Sequence, residues 1–266
     1  RRIAGHVSYI ISSHTIEHIP DPITFLQDCG TVLKPGGYLS MAIPDRRACF
    51  DFFRPFTPLS QWLQAYFERR TRPTEAQLFE LECLGADYDR GGFRSAGFDI
   101  GRESPEALVP FNRLESSLAM WRRRIADGAE DYCDTHCWAF TPSSFELLLR
   151  DCRFLGLVPL TVSALTPSNN HEFYVHLRNW GDEKPSMGES YLSERAALLH
   201  RVVDETGSNS LLHLQVLQER DALRAQLNEL HALRARLEAI QRSASWRVTS
   251  PLRAVRGFLR GLRQSA

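Results

Sequence analysis

The order of apolar runs and chain breakers at the start of the chain constrains its fold most tightly. Residues His6–Ser12 are a short apolar run suited to a strand covered on both faces. The run opens into Ser13-His14-Thr15-Ile16-Glu17-His18, a polar loop. Asp21 then offers an N-cap with Pro22 at the first helical position, where a fixed φ and a missing N–H cost nothing. Ile23, Leu26, Gly30 and Leu33 recur at helical spacing. Lys34-Pro-Gly-Gly37 supplies a tight turn, and Tyr38–Ile43 is a second strand ended by Pro44. This is a β-loop-α-turn-β unit, the repeating element of parallel sheets. Ligands of open α/β sheets lie beyond the carboxyl ends of the strands, so His14 and Glu17 stand where chemistry is expected.

The rest of the chain divides by composition. From Asp45 to about Asp134 it is aromatic, Arg-rich and irregular, with helices expected near Leu59–Glu68, Thr74–Leu84 and Asn112–Arg124 and a loop marked by Gly91-Gly92 and Gly97. An insertion of this length after a sheet strand is a usual place for a lid or an acceptor-binding cap. Order resumes at His136. Thr141 caps a helix that begins at Pro142, carries Phe145, Leu148, Leu149 and Cys152 on its inner face, and ends at Gly156. Leu157–Leu165 and Glu172–Leu177 are strands, and the short Thr166–Asn170 link permits only an antiparallel hairpin.

Beyond a linker at Asn179–Pro185, Leu212, Val216, Leu223, Leu227, Leu230, Leu237 and Ile240 fall on alternating three- and four-residue steps. Arg220 fills one expected seam position, and another falls between Leu233 and Arg234. The pattern predicts a coiled-coil helix of about four heptads, roughly 45 Å long. After Glu238 there is no acidic residue, while Arg242, Arg247, Arg253, Arg256, Arg260 and Arg263 follow. Pro251–Leu262 reads as a short basic amphipathic helix, a feature of weak membrane-surface contact or of a solvated tail.

The 266 residues suffice for one substantial domain and an extension, and a formal net charge of zero gives no case for nucleic acid as a partner. The six cysteines follow no disulfide spacing, which points to a reducing cytosol, at most peripheral to the inner membrane surface. No apolar run reaches the 18 residues of a membrane span. His14-x-x-Glu17-His18 has the order of an inverted zinc-protease motif, but Pro20 and Pro22 allow about one helical turn there, so no metal is expected. Cys133, His136 and Cys137 are a weaker metal hint without a partner pair.

A strand ending in Ser13-His14-x-x-Glu17-His18-x-x-Asp21-Pro22, followed by Val32-Leu-Lys-Pro-Gly-Gly37 and a strand ending in Pro44-Asp45, resembles the class I S-adenosylmethionine-dependent methyltransferases, most closely the type-11 group. The resemblance covers residues 1 to about 180. It implies an α/β fold: a partial Rossmann-like methyltransferase sheet whose last strand is antiparallel, with a helical insertion and a C-terminal coiled-coil helix. The expected organisation is a methyltransferase domain at 1–180 (insertion about 46–134), a linker and helical start at 181–204, a coiled coil at 205–242 and a basic tail at 243–266. Phe140-Thr-Pro-x-Ser-Phe145 is similar to a subset found beside bacterial surface-polysaccharide genes, and Ser245-Trp-Arg-Val-Thr-Ser-Pro-Leu-Arg253 to tails on some glycosyltransferases of that setting. The family begins with a strand and a Gly-rich turn that receive the cofactor, and neither precedes Val7. The resemblance therefore implies an N-terminally truncated domain lacking roughly 90 residues, at about 30 per β-α unit.

The resemblance implies S-adenosyl-L-methionine as cofactor and transfer of its methyl group to an oxygen of a sugar or glycan-type acceptor. His14 and Glu17 are then the catalytic candidates. An imidazole suits a base that takes the acceptor's proton near neutrality, although His14 can equally line the pocket. Ser12, Ser13 and His14 are candidate cofactor contacts. Asp45, Arg46 and His136 are candidate acceptor contacts, with a helix cap for Asp45 and a structural role for His136 as their alternatives. Glu17 is expected to organise the loop by accepting backbone N–H bonds. The other reading is a non-catalytic interaction module in a polysaccharide-synthesis complex, in which residues 211–242 pair with a second copy or a partner helix and 247–263 touch a membrane surface.

Overall fold

The computed structural model describes residues 5–180, 190–207 and 210–242. The chain separates into two compact units, Arg1–Gln215 and Val216–Ala266.

In the first unit, β1 (Val7–Ser13) leads through the His14–Pro20 loop to α1 (Pro22–Val32), and β2 (Leu33–Pro44) returns parallel to β1. The Asp21 side chain accepts from Thr24 N–H and Thr24 Oγ1–H at 3.0 and 2.6 Å, as the Asp-Pro signal predicts. The helix ends at Val32, one residue before the Leu33 that the spacing includes, because Leu33 is already extended. The Lys34-Pro-Gly-Gly37 turn lies inside the β2 span. Val7 pairs with Leu33 and Tyr9 with Tyr38, so three extra residues loop out of β2. Gly36 has φ +81°, and a Cβ on Gly37 would press on the carbonyl oxygens of Lys34 and Ser8. Gly30 serves packing: a Cβ there would run into the Pro159 ring.

β6 (Leu160–Leu165) and β7 (Glu172–Asn179) form the expected antiparallel hairpin and complete a sheet of order β1-β2-β7-β6. β6 starts three residues late, since Gly156 and Leu157 N–H still cap the preceding helix by donating to Arg153 and Cys152 carbonyls. β7 runs two residues further than expected and ends at Asn179, whose amide donates to the Gly30 and Leu33 carbonyls.

The sheet is covered on one face among the described residues. Leu39, Met41 and Ile43 sit opposite Leu177, Val175 and Phe173 on adjacent strands, and all six are buried. They meet Ile23 and Leu26 of α1, Trp62 of α2 (Leu59–Glu68), and Phe145, Leu148 and Leu149 of α5 (Pro142–Phe154). The other face carries Tyr9, Ile11, Tyr38, Ser40 and His176, with a hydrogen-bonded row Tyr9–Ser40–His176. Tyr9 is 48% and Ile11 79% exposed, which corrects the expectation that β1 is covered on both faces. A run that reads as uninterrupted apolar in sequence is here an edge strand.

The insertion is more ordered than its composition suggests. Besides α2, it holds α3 (Glu75–Leu84), capped by a Thr74–Gln77 box, and α4 (Leu114–Ala126), close to the expected helices. The stretch expected to be irregular also forms a small antiparallel sheet of β3 (Ala86–Asp89), β4 (Arg94–Ser95) and β5 (Leu108–Pro110), with a core of Ala48, Ala86, Tyr88, Phe98, Ile100 and Leu108. Strands of two to four residues are too short to leave a period in the sequence.

Asn179, expected to open the linker, is the last residue of β7, and residues 181–185 of that linker lie outside the described residues. α6 (Ser190–Thr206) then docks on α5, so residues 190–206 belong to the domain rather than to a spacer. Tyr191 and Arg195 donate to the buried Asp151, and Glu205 accepts from the Ser143 N–H and hydroxyl at the start of α5. α7 (Ser210–Arg242) covers the expected coiled-coil heptads. The basic tail and its Pro251–Leu262 helix lie outside the described residues. No described helix is long and apolar enough to cross a membrane. The cysteines are free, and burial pushes the thiols of Cys29 and Cys152 up to about 11 and about 12.

Leu198 of α6 is 2% exposed. Leu198→Ala is expected to lower the unfolding free energy of the domain by about 2–4 kcal/mol, read from urea denaturation. A loss below about 0.5 kcal/mol would show that α6 is not part of the domain core.

Candidate functional site

Three strand ends meet where β1 stops. Ser13 pairs with Ala42, the His14 N–H donates to the Ala42 carbonyl at 3.0 Å, and Glu172 at the start of β7 pairs with Pro44. Parallel pairing of β1 with β2 and antiparallel pairing of β7 bring the tips to one edge, the crevice position of open α/β sheets. His14 takes φ +48°, a left-handed conformation that a His adopts only when its surroundings hold it there, and the chain turns out of the sheet. Its Nε2 lies 2.8 Å from Glu172 Oε2, and Glu172 Oε1 accepts from the Tyr174 hydroxyl at 2.6 Å. Burial pushes the Glu172 carboxyl up, but these two hydrogen bonds outweigh it and hold the group below its ordinary range. Ser12 is half-buried and Ser13 exposed beside His14.

The loop after His14 is pinned from beneath. Ile16 is buried in the core, and His18 N–H donates to Thr15 C=O at 2.9 Å. The Glu17 carbonyl accepts from Cys137 N–H at 2.7 Å and Trp138 N–H at 3.3 Å, and Trp138 Nε1 donates to the Ile19 carbonyl at 2.7 Å. Glu17 thus organises the loop through its backbone carbonyl. The expectation that its carboxylate does so by accepting N–H bonds is corrected: that side chain is fully buried, and neither oxygen has a hydrogen-bond partner. Burial raises its carboxyl above the ordinary range, with the imidazoles of His136, His18 and His14 pulling it partway back. His14 Nδ1 is 3.7 Å and His18 Nε2 4.0 Å from Glu17 Oε1.

His136 arrives at the same place from the far side of the insertion. Its ring meets that of His18 edge-on, with centroids 4.6 Å apart, and its Nδ1 is 2.5 Å from Asp51 Oδ2. Asp51 also accepts from Arg54 at 2.6 Å. Burial pushes Asp51 up, but Arg54 and His136 outweigh it and keep it ionised.

Asp45 and Arg46 are drawn into structure. Asp45 is fully buried, accepts from the Arg47 N–H at 2.9 Å, pairs through both oxygens with the Arg47 guanidinium, and bonds Ser168. Arg46 donates to the Arg54 and Phe52 carbonyls. The structure brings His14, Glu17 and His136 together and places Asp45 in the cap role. Sequence reasoning misses Glu172, Asp51 and Asp134, which bond His14, His136 and His18 in turn. Only topology delivers them, and the one local signal is that Glu172 opens the last strand. A cavity of about 740 Å³ opens beside the loop at Ile19 and Pro20, against Phe25, Tyr66, Arg69 and Arg70.

A family model described as "Methyltransferase domain" matches residues 3–154. Among solved structures, the chain is similar to an S-adenosylmethionine-dependent methyltransferase from Methanosarcina mazei, at 14% identity over 66% of this chain and 60% of that one, with a TM-score of 0.27. It is also similar to one from Mesorhizobium loti, at 11% identity over 66% and 63% of the two chains, with a TM-score of 0.28. The chain therefore spans about three fifths of the length of these solved structures. No curated protein matches it.

Replacing Arg47 by Met strands the Asp45 carboxylate in the core without its cation. The expected loss is about 3–5 kcal/mol of unfolding free energy. A urea midpoint like the parent's would show that the pair does not hold the β2 tip.

Proposed function

The chain belongs to the methyltransferase-domain family, and from that premise we propose that it serves transfer of a methyl group from S-adenosylmethionine to an oxygen of a sugar or glycan-type acceptor. The observation that carries the reading is the His14–Glu172 pair, which joins the end of β1 to the start of the antiparallel β7 at one edge of the sheet. A carboxylate only accepts, so Nε2 carries the hydrogen and Nδ1 keeps its lone pair. Nδ1 would take the proton of an acceptor hydroxyl placed beside it, while the bound cofactor would supply the methyl group by S–C cleavage and leave as its neutral thioether. Glu17 Oε1 lies 3.7 Å from the same nitrogen and borders the position that an acceptor hydroxyl would take. Glu172 acts through His14 as a positioning residue.

S-adenosylmethionine supplies an electrophilic methyl on a sulfonium when bound. Ser12, Ser13 and His14 at the β1 tip would hold its methyl-facing end, supported by their position at the end of a strand in a parallel pair. The described residues do not fit its adenosine end: among them no Gly-rich turn joins a strand to a helix. The unpaired outer edge of β1, with Tyr9 and Ile11 exposed, supports a truncated domain in which further strands continue the sheet and complete the cofactor site. The cavity beside Ile19 supports the acceptor class, since aromatic faces at Phe25 and Tyr66 and the cations Arg69 and Arg70 suit a ring bearing hydroxyls or acidic groups. His136, beside Glu17, remains a candidate acceptor contact in this reading. A place beside polysaccharide-building enzymes rests on the sequence resemblance of residues 140–145 and 245–253.

His14→Ala is expected to lower kcat by about 10²–10⁴-fold in a radiolabelled methyl-transfer assay with glycan acceptors, run on the whole native protein. Glu172→Gln is expected to fall between the two. A parental rate in His14→Ala contradicts the base assignment.

The second reading, helix-mediated assembly, is favoured by one observation. Leu223, Leu227, Leu230, Leu237 and Ile240 of α7 are each at least 45% exposed. In this reading the stripe pairs with a second copy, and the basic tail adds weak contact with anionic lipid. Because Glu205 caps α5, a clean truncation starts after Gly207. Deleting 208–266 is expected to convert an oligomer to a monomer in sedimentation while leaving the domain's unfolding midpoint unchanged; an unaltered mass would remove this role.

A further inference from the structure

We propose that Glu17, His18 and His136 form a binding site for one divalent transition-metal ion of the zinc class. Their ligating atoms all lie within 4.8 Å of one another. Each imidazole already has its Nδ1 against an aspartate: His18 at 2.9 Å from Asp134, and His136 at 2.5 Å from Asp51. This leaves Nε2 as the free nitrogen on both rings. Carboxylate–histidine–metal relays use that arrangement to fix the tautomer and raise ligand basicity.

The third donor is the independent observation. Glu17 is 0% exposed, and neither carboxylate oxygen has a hydrogen-bond partner, although a buried carboxylate without partners is strongly disfavoured. A cation beside it removes that cost directly. Two imidazole nitrogens and one carboxylate oxygen match the donor set of zinc and its neighbours, and three protein ligands leave a position open for water or another oxygen. Tetrahedral coordination at ~2.0–2.1 Å needs donors about 3.3 Å apart, so the three must draw in by up to about 1.5 Å. His18, on a surface turn and only half-buried, has the freedom to do so. The site differs from the His14-x-x-Glu17-His18 sequence motif, because His136 takes the place of His14, which groups instead with His171 and Glu172. It does not depend on the methyl-transfer reading, since the test uses the metal alone.

The test titrates Co²⁺, then Zn²⁺, into untagged, chelator-stripped protein, following cobalt d–d absorption and calorimetry. The expected result is one ion per chain, with Zn²⁺ displacing Co²⁺. Glu17→Gln and His18→Asn should each weaken binding at least tenfold, and Asp134→Asn by about tenfold through the orientation of His18. Far-UV circular dichroism confirms that each variant is folded, and the partly exposed His18 remains an informative position if Glu17→Gln fails to fold. His171→Asn, in the exposed His14–His171–Glu172 group, should leave affinity unchanged. Absence of stoichiometric binding, parental affinity in folded His18→Asn, or loss of binding in His171→Asn would each overturn the site.

Discussion

The hydrogen-bonded parallel pairing of β1 with β2 underlies every other feature of the site. It aligns Ser13 with Ala42, two residues before β2 ends at Pro44, so the loop after β1 leaves the sheet beside the last residues of β2. β7 on the other side of β2 brings Glu172 to that level from the opposite chain direction. Three strand tips then share one edge, and His14 spans from the first to the third. A one-residue slip of β1 would move Ser12 and Ile10 off the core face and carry His14 away from Glu172.

Packing and chemistry are coupled through one segment, residues 136–140. Phe140, Trp138 and Cys137 belong to the main core, while the Cys137 and Trp138 amides hold the Glu17 carbonyl. His136, at the head of the segment, is fixed by Asp51 from the start of the insertion. The insertion therefore contributes to the geometry of the loop as well as covering it. Arg54 beside Asp51 and Arg47 beside Asp45 are buried cations that each stabilise a carboxylate in this layer. Removing any of them leaves an uncompensated charge where water cannot reach.

Much of the scaffold was legible in the residues. Asp21-Pro22 and Thr141-Pro142 start helices where capping chemistry says they should, and the short Thr166–Asn170 link forces the hairpin. His14 and Glu17 stand out in the sequence because they follow an apolar run and precede a proline-bounded turn. The partners of those residues were not legible, because they come from other elements: Glu172 through β7, Asp51 through the insertion, His136 from beyond it. The one-sidedness of the sheet was missed because an apolar run reads the same in a central strand and in an edge strand. The role of Glu17 differs from the expectation because the Cys137 and Trp138 amides, which come from beyond the insertion, bond its backbone carbonyl rather than its carboxylate.

The central claim is that the shared tip of β1 and β2 faces the reaction. Hydrogen–deuterium exchange on the whole native protein, with and without S-adenosylhomocysteine, tests it most directly. The account requires ligand protection concentrated at Ser12–His18 and Pro44–Arg47. Protection confined to the opposite end of the sheet, around Gly5–Val7 and Lys34–Gly37, would contradict it.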